Sequence, residues 1–230
     1  FAWIEHTKER TTFINSANII NWNIDKHYLR DLSQHGIEIT PTLFVEKGEN
    51  VKLEELFQKS KWNEAIIKPA ISGAARHTYR LKKNKYSNYE NILNELKENE
   101  CMLFQEFMSS ITTNGEISIV IIRGKYTHAV KKIAKKGDFR VQDDHGGKVI
   151  QYTPTAEEIK FAEKCIAKCP FSPLYARVDI VYNNNNKPTL IELELIEPEL
   201  WFRKNPKSAI YLANGIFSLI SSKKHPEHLK

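Results

Sequence analysis

The stretch Leu174-Tyr175-Ala176-Arg177-Val178-Asp179-Ile180-Val181-Tyr182 alternates in character, and the turn-forming run Asn183-Asn184-Asn185-Asn186-Lys187 follows it. A second alternating stretch, Thr189-Leu190-Ile191-Glu192-Leu193-Glu194-Leu195, comes next. Two such runs around a turn form a β-hairpin. Side chains alternate faces along a strand, so Arg177 and Asp179 share one face, as do Glu192 and Glu194. A loop of Asn184 to Lys187 sets Asp179 opposite Glu192 and Arg177 opposite Glu194. The other face, with Val178, Ile180, Ile191, Leu193 and Leu195, belongs to a core. A slip of one residue would exchange the two faces.

Three carboxylates on one patch repel, at a cost of about 0.2–1 kcal/mol for each directly opposed like pair. Two readings remain open from the hairpin alone. In one, a hard cation such as Mg²⁺ or Mn²⁺ sits among oxygen-only ligands with no His or Cys nearby. In the other, the face is solvated and salted by Arg177 and neighbouring lysines.

Further strands are expected at 64–68, 101–107, 116–123 and 125–133, with Arg123-Gly124 as a tight turn, so part of the sheet is antiparallel. A strand around 37–45 is interrupted by Pro41. Asp25 is placed to cap a helix running to Gln34 and stopped by Gly36, with Tyr28, Leu29 and Leu32 inward. Ser87 with Glu90, and Thr155 with Glu158, have capping-box spacing. Behind the second, Ile159, Ala162, Cys165, Ile166 and Cys169 continue at helical spacing, which makes both cysteines core residues. The last helix opens at Asn205-Pro206 and is expected to bury Ile210, Ala213, Ile216, Phe217 and Ile220. The fold class is α+β.

Composition excludes several classes. With 41 % hydrophobic and 27 % charged residues, the chain is neither collagenous nor disordered, and three cysteines make no disulfide scaffold or zinc set. The longest uncharged stretch, 208–222, is too short and too polar to span a bilayer, so no membrane association is expected. Free thiols and an opening without a signal peptide place the chain in a reducing, cytoplasmic compartment. The net charge of +6 is scattered, without an arginine-rich arm or aromatic-basic repeat. It fits a solvated surface or a cleft collecting a small polyanion, and no nucleic-acid partner is expected.

Several segments recur in a telling order: Asn23-Ile24-Asp25-Lys26, then Ile66-Ile67-Lys68-Pro69 with the loop Ile71-Ser72-Gly73-Ala74-Ala75, then Leu103-Phe104-Gln105-Glu106-Phe107-Met108. Glu116 opening a strand, Gly137 to Gln142, His145-Gly146-Gly147, Ala176 to Asp179 and Ile191 to Glu194 complete the set. Together they resemble the ATP-grasp superfamily, in particular bacterial ligases related to the glutathione synthetase ATP-binding domain, over about residues 13–202. The resemblance implies two α+β subdomains clasping a nucleotide between antiparallel sheets. It divides the chain into 1–24, the remnant of a preceding domain, 25–107, a small subdomain with a phosphate-covering loop, and 108–222, a subdomain with the metal site. A polar tail, 223–230, follows.

By the same resemblance, Lys26 and Lys68 contact the nucleotide phosphates, and Ser72, Gly73 and the alanines close over them. Gln105, Glu106, Phe107 and Met108 form the linker that meets adenine, and Glu116 meets the ribose. Asp179, Glu192 and Glu194 hold Mg²⁺ or Mn²⁺. Glu194 departs from the family, which often has Asn there. Arg140 and Arg177 steady the transferred phosphoryl group, and Lys131 or Lys132 touches substrate. His145 reads as a loop histidine and Asp143-Asp144 as a turn; Glu116 has an alternative partner in Lys131 across the hairpin. The implied activity is carboxylate activation: ATP phosphorylates a substrate carboxylate and an amine displaces phosphate. A small-molecule kinase of the same superfamily and a nucleotide-binding regulatory module without turnover stand as alternatives, and a homodimer is left open.

Overall fold

In a computed structural model that describes residues 1–135, 137–141 and 146–224, the chain is built on two antiparallel sheets. The order of elements is α1 (Ala2–Lys8), α2 (Ala17–Asn23), α3 (Tyr28–Gln34), β1 (Thr42–Val45), α4 (Leu53–Ser60), β2 (Glu64–Pro69) and β3 (Tyr79–Lys82). A 3₁₀ turn (Tyr86–Tyr89), α5 (Glu90–Asn99), β4 (Met102–Glu106), α6 (Ser110–Thr113), β5 (Glu116–Ile122) and β6 (Lys125–Ile133) follow. The chain continues with β7 (Lys148–Tyr152), α7 (Ala156–Ala167), β8 (Tyr175–Tyr182), β9 (Pro188–Glu194) and α8 (Pro206–Lys224).

The smaller sheet has the order β1-β4-β2-β3 and the larger β7-β6-β5-β8-β9. One face of the smaller sheet packs Ala65, Ile67, Met102 and Phe104 against Leu53, Leu56 and Phe57 of α4 and Leu93 of α5. One face of the larger sheet packs Ile117, Ile119, Ile121, Val178 and Ile180 against Ala162, Cys165 and Ile166 of α7 and Leu29 and Leu32 of α3. On its other face β5 carries Glu116 and Ser118 and then Val120 and Ile122, so that face passes from charged to apolar along its length.

The hairpin register is the expected one where the charges lie: Asp179 pairs with Glu192 and Arg177 with Glu194. It is reached differently. Tyr182 pairs with Pro188, which makes the loop one residue longer than expected, and a bulge between Asp179 and Ile180 takes up the difference. Leu190 therefore enters the core in place of Ile191, which is half-buried and faces the cavity described below. At Arg123-Gly124 both residues have positive φ, 54° and 74°, as a two-residue hairpin turn of the I′ kind demands.

The outer edge of β9 is sealed by chain from the N-terminal side. Asn23 donates to Leu193 O (2.8 Å) and accepts from Leu195 N (2.9 Å), while Tyr28 Oη accepts from Leu193 N (2.9 Å). Leu190 exchanges backbone bonds with Glu38 and Thr40, both at 2.9 Å. Asn15 bonds Leu174 N, Tyr175 O and Leu195 O. An exposed edge would otherwise present unpaired backbone groups.

Several local expectations are corrected. The Thr155–Glu158 capping box forms, but Ser87 and Glu90 make no cap; the Glu90 carboxylate accepts from Leu53 N at the start of α4 instead. Asp25 does not cap α3 from the N-cap position, which His27 occupies. Helix α8 turns Ser208, Leu212, Gly215 and Ile216 inward and leaves Ile210 and Phe217 64 % and 72 % exposed. Gly215 is on the inward side, where a Cβ would lie 2.9 Å from Leu174 Cδ1. Strands β3 and β7 were not anticipated. Cys101, Cys165 and Cys169 are free thiols, and among the described residues no helix is long and apolar enough to cross a membrane. His145, Asp143 and Asp144 lie outside the described residues.

Replacing Asn23 by Ala leaves Leu193 O and Leu195 N buried without their partner, at a cost of about 1–3 kcal/mol per unsatisfied group. Urea denaturation of Asn23→Ala is expected to show a loss within or above that range with an unchanged slope; an unchanged midpoint would contradict the sealed-edge account.

Candidate active site between the two sheets

The polar face of the larger sheet, the inner edge of the smaller one and the loops between them enclose a cavity of about 690 Å³. That is ample for a nucleotide-sized ligand, since ligand pockets span about 300–1,000 Å³. Lys26, Lys68, Ser72, Gly73, Gln105, Glu106, Phe107, Met108, Glu116, Arg140, Arg177, Glu192 and Glu194 all line it. Residues separated by up to 168 positions thus meet at one cavity. Of the expected set, Asp179 alone is not on the wall.

One end is basic. Lys26 is buried, donates to Ser72 O (2.8 Å) and stands 3.3 Å from Glu192 Oε1. Burial depresses the Lys68 pKa and the nearby Lys26 charge adds to the effect, while Glu192 opposes both. Over these lysines arches the loop 71–78, with Ala74 and Ala75 at φ 50° and 55°. The left-handed backbone is costly for a residue with a Cβ, while the short alanine side chains leave the amides open to an anion. Arg76 ties the loop's base to Glu100 through two hydrogen bonds, 3.0 and 2.6 Å.

The middle of the cavity is the linker from β4 to β5. Gln105 donates to Thr42 Oγ1 (3.0 Å), and Glu106 accepts from Asn184 Nδ2 (2.9 Å), so the tip of the β8–β9 hairpin is fastened to the linker. The Phe107 ring lies 3.7 Å from the Arg80 guanidinium and meets Phe139 edge-on. Arg140 reaches the wall on the loop after β6, held by Asp138 through Nε (3.2 Å) and Nη2 (2.8 Å). The arginine bonds hold the Asp138 carboxyl well below the usual carboxylate range.

On the larger sheet the charges form a chain. Lys132 bridges Glu116 and Asp179, the latter at 2.9 Å. Arg177 places Nε 2.9 Å from Asp179 Oδ1 and Nη2 2.8 Å from Oδ2, and it also pairs with Glu194. Asp179 is 1 % exposed. Burial alone would raise its pKa, but Arg177 and Lys132 outweigh burial and hold it well below the usual range. Burial raises the Glu194 carboxyl, and although Arg177 pulls the other way, Glu192 and Asp179 push it further up. Glu116 is likewise raised by burial, with Lys132 opposing. Burial would also raise Glu192, yet Lys26 and Lys68 draw it down.

The donor chemistry fits a hard, oxygen-seeking dication: the charged side chains on the wall that could ligate a metal are carboxylates, with no His or Cys among them. The arrangement is not a finished cage. Among the described residues no three His, Cys, Asp or Glu side chains are grouped so as to hold a metal. Glu192 and Glu194 face the cavity, whereas both oxygens of Asp179 are taken by cationic side chains.

Lys132, not Lys131, is the partner of Glu116 across the hairpin; Lys131 points to the other face and lies 4.2 Å from the Tyr152 ring centroid. Glu116 pairs with Lys132, whereas sequence reasoning pointed to Lys131 as that partner and left Lys131 and Lys132 open as substrate contacts, because a run of two lysines reveals no register. It missed Glu197 and Glu199 on the wall, which follow β9 where alternation stops being a guide. It also missed Gly115, whose φ of 76° and close approach to β6 leave no room for a side chain: a Cβ would lie 2.4 Å from Lys132 O.

A family model described as RimK-like ATP-grasp domain matches residues 25–200. The cycloserine biosynthesis protein DcsG of Streptomyces lavendulae is 23 % identical over 235 residues, covering 94 % of this chain and 76 % of that protein. The crystal structure of D-cycloserine synthetase DcsG superposes with a TM-score of 0.82 at 22 % identity, covering 94 % of this chain and 76 % of that one. D-alanine–D-alanine ligase from Bacillus anthracis gives 0.70 at 19 % identity, over 91 % and 72 %. At these identities the structural likenesses establish the same fold: α+β, with two antiparallel sheets facing one cleft.

The variant Gly115→Ala must move the end of β6 that carries Lys132. A left-handed backbone on a non-glycine residue alone costs about 1–3 kcal/mol. Thermal unfolding followed by circular dichroism is expected to show a lowered midpoint; a wild-type midpoint would contradict the close approach.

Proposed function

We propose a function on one premise: this chain belongs to the RimK-like ATP-grasp family. It is an ATP- and Mg²⁺-dependent ligase that activates a substrate carboxylate as an acyl-phosphate for attack by an amine, on amino-acid or peptide-like substrates. The observation that carries the reading is one cavity wall that joins lysines under a small-residue loop to carboxylates with an arginine, Lys26 standing 3.3 Å from Glu192. The names of the similar proteins, a D-cycloserine synthetase and a D-alanine–D-alanine ligase, support this reaction class. Three free cysteines support a cytoplasmic setting.

In this reading Lys26 and Lys68 bind the polyphosphate as point charges, and the loop of Ser72 and Gly73 covers it, excluding water. Gln105 to Met108 hold the adenine, chiefly through backbone groups, and Glu116 accepts from the ribose. Glu192, Glu194 and Asp179 would hold Mg²⁺ or Mn²⁺, which supplies charge neutralisation to the phosphate oxygens. Asp179 is available to that role only when it exchanges Lys132 and Arg177 for the cation. Arg177 and Arg140 steady the phosphoryl and acyl oxygens with planar forks. Such a reaction needs alignment and charge stabilisation more than a protein nucleophile.

Calorimetry with ATP, with and without Mg²⁺, tests the site. Binding is expected to require the metal, to weaken about tenfold or more in Glu192→Gln and Asp179→Asn, and to weaken similarly in Lys68→Ala. Binding indifferent to all three would overturn the assignment. In turnover, ADP and phosphate release is expected to depend on both a carboxylate and an amine. ADP release with a hydroxyl acceptor and no free phosphate would instead identify a kinase.

A further inference from the structure

Trp201 lies behind the site rather than in it: it is 4 % exposed and is not on the cavity wall. Its ring nonetheless lies against both cations of the charge chain. The Arg177 guanidinium carbon is 5.2 Å from a ring centroid of the indole and Lys132 Nζ is 5.9 Å away. The same residue belongs to the apolar cluster of Val120, Ile122, Val130 and Leu200, the apolar continuation of the site face. The indole therefore stands at the boundary where the sheet face changes from charged to apolar.

The backbone is held there at a cost. Trp201 has φ 46°, a left-handed conformation that a bulky side chain rarely adopts. The strained residue is pinned from neighbouring groups: its N–H donates to Glu199 Oε1 (2.6 Å), its carbonyl accepts from Lys204 N (2.8 Å), and Leu200 O takes a hydrogen bond from His128 Nε2 (2.8 Å). Backbone strain of this kind persists where surrounding structure over-determines it, and it gathers at functional sites.

We propose that Trp201 is a positioning residue, whose aromatic face fixes Arg177 and Lys132 against the carboxylates so that Arg177 keeps one orientation toward the cavity. The negative face of an indole attracts a cation, and it does so more strongly in a desolvated setting such as this one. Five charged groups within one network have several ways to pair; a ring against the two cations selects one of them. The inference deepens the ligase reading and rests on it for the role of Arg177.

The test uses the full chain with two variants close enough in volume to fold. Trp201→Met removes the aromatic face and keeps apolar bulk, and Trp201→Phe restores an aromatic face. In ¹H–¹⁵N spectra the Arg177 Nε–H resonance, identified by its loss in Arg177→Lys, is expected to be slow to exchange with water in the wild type. Its exchange should accelerate about tenfold or more in Trp201→Met and stay within about threefold of wild type in Trp201→Phe. In ATP turnover, Trp201→Met is expected to lower kcat about tenfold with KM for ATP within about threefold, and Trp201→Phe to restore it. Wild-type Arg177 exchange in folded Trp201→Met overturns the proposal. So does an Arg177 Nε–H that exchanges in the wild type as fast as that of an exposed arginine, which is readable even if neither variant folds. Failure of the ligase reading looks different: the wild type binds no ATP with Mg²⁺, and the Arg177 resonance still reports whether the indole holds it.

Discussion

Glu116, Lys132, Asp179, Arg177 and Glu194 are packed side by side on one face of the larger sheet, three anions and two cations in a largely water-excluded row. Removing one partner of a buried pair costs about 3–5 kcal/mol, because the other charge is left without compensation. The network thus constrains everything that positions its members: the register of β8 on β9, the approach of β6 to Gly115, and the cover supplied by the residues after β9. It is also unbalanced, with one more carboxylate than cation. Burial first, and then Glu192 and Asp179, raise Glu194, and the excess carboxylate is the physical basis for expecting a bound cation there.

The remainder of the fold serves the opposing surface. The smaller sheet brings Lys68 on β2 and the linker at the end of β4, while Lys26 arrives between α2 and α3. These meet the carboxylates at Glu192, which stands 3.3 Å from Lys26, so cationic and anionic groups share one wall. An anionic ligand with a bound cation would satisfy both at once. The stapling of β9 to Asn15, Asn23 and Tyr28 gives the residues before Lys26 a direct part in holding the strand that carries Glu192 and Glu194.

Local signals were reliable where the deciding contacts were local. Thr155 and Glu158 cap α7 because both partners are three residues apart on one turn. Ser87 and Glu90 have the same spacing, but Glu90 found a better donor, Leu53 N, on another helix. The hairpin is a subtler case. Its loop is longer than expected, yet a bulge restores the pairing, because burying Asp179 with Arg177 and facing Glu192 to the cavity is worth more than regular strand geometry. For α8 the apolar spacing is right at Ile216 and fails at Ile210, Ala213, Phe217 and Ile220, since helical periodicity reveals a face without saying what it meets.

From the sequence alone came the α+β class, the carboxylate hairpin with its pairing, and the ordered set of lysine, loop, linker and acidic segments. All of these are properties of period, turn chemistry and order along the chain. Tertiary structure decided which charge neutralises which. It chose Lys132 over Lys131, closed Arg177 onto Asp179, left Glu192 and Glu194 open to the cavity, and set Trp201 against the two cations. Those choices depend on distances between residues far apart in the chain and on how much water reaches them, and no local pattern encodes either.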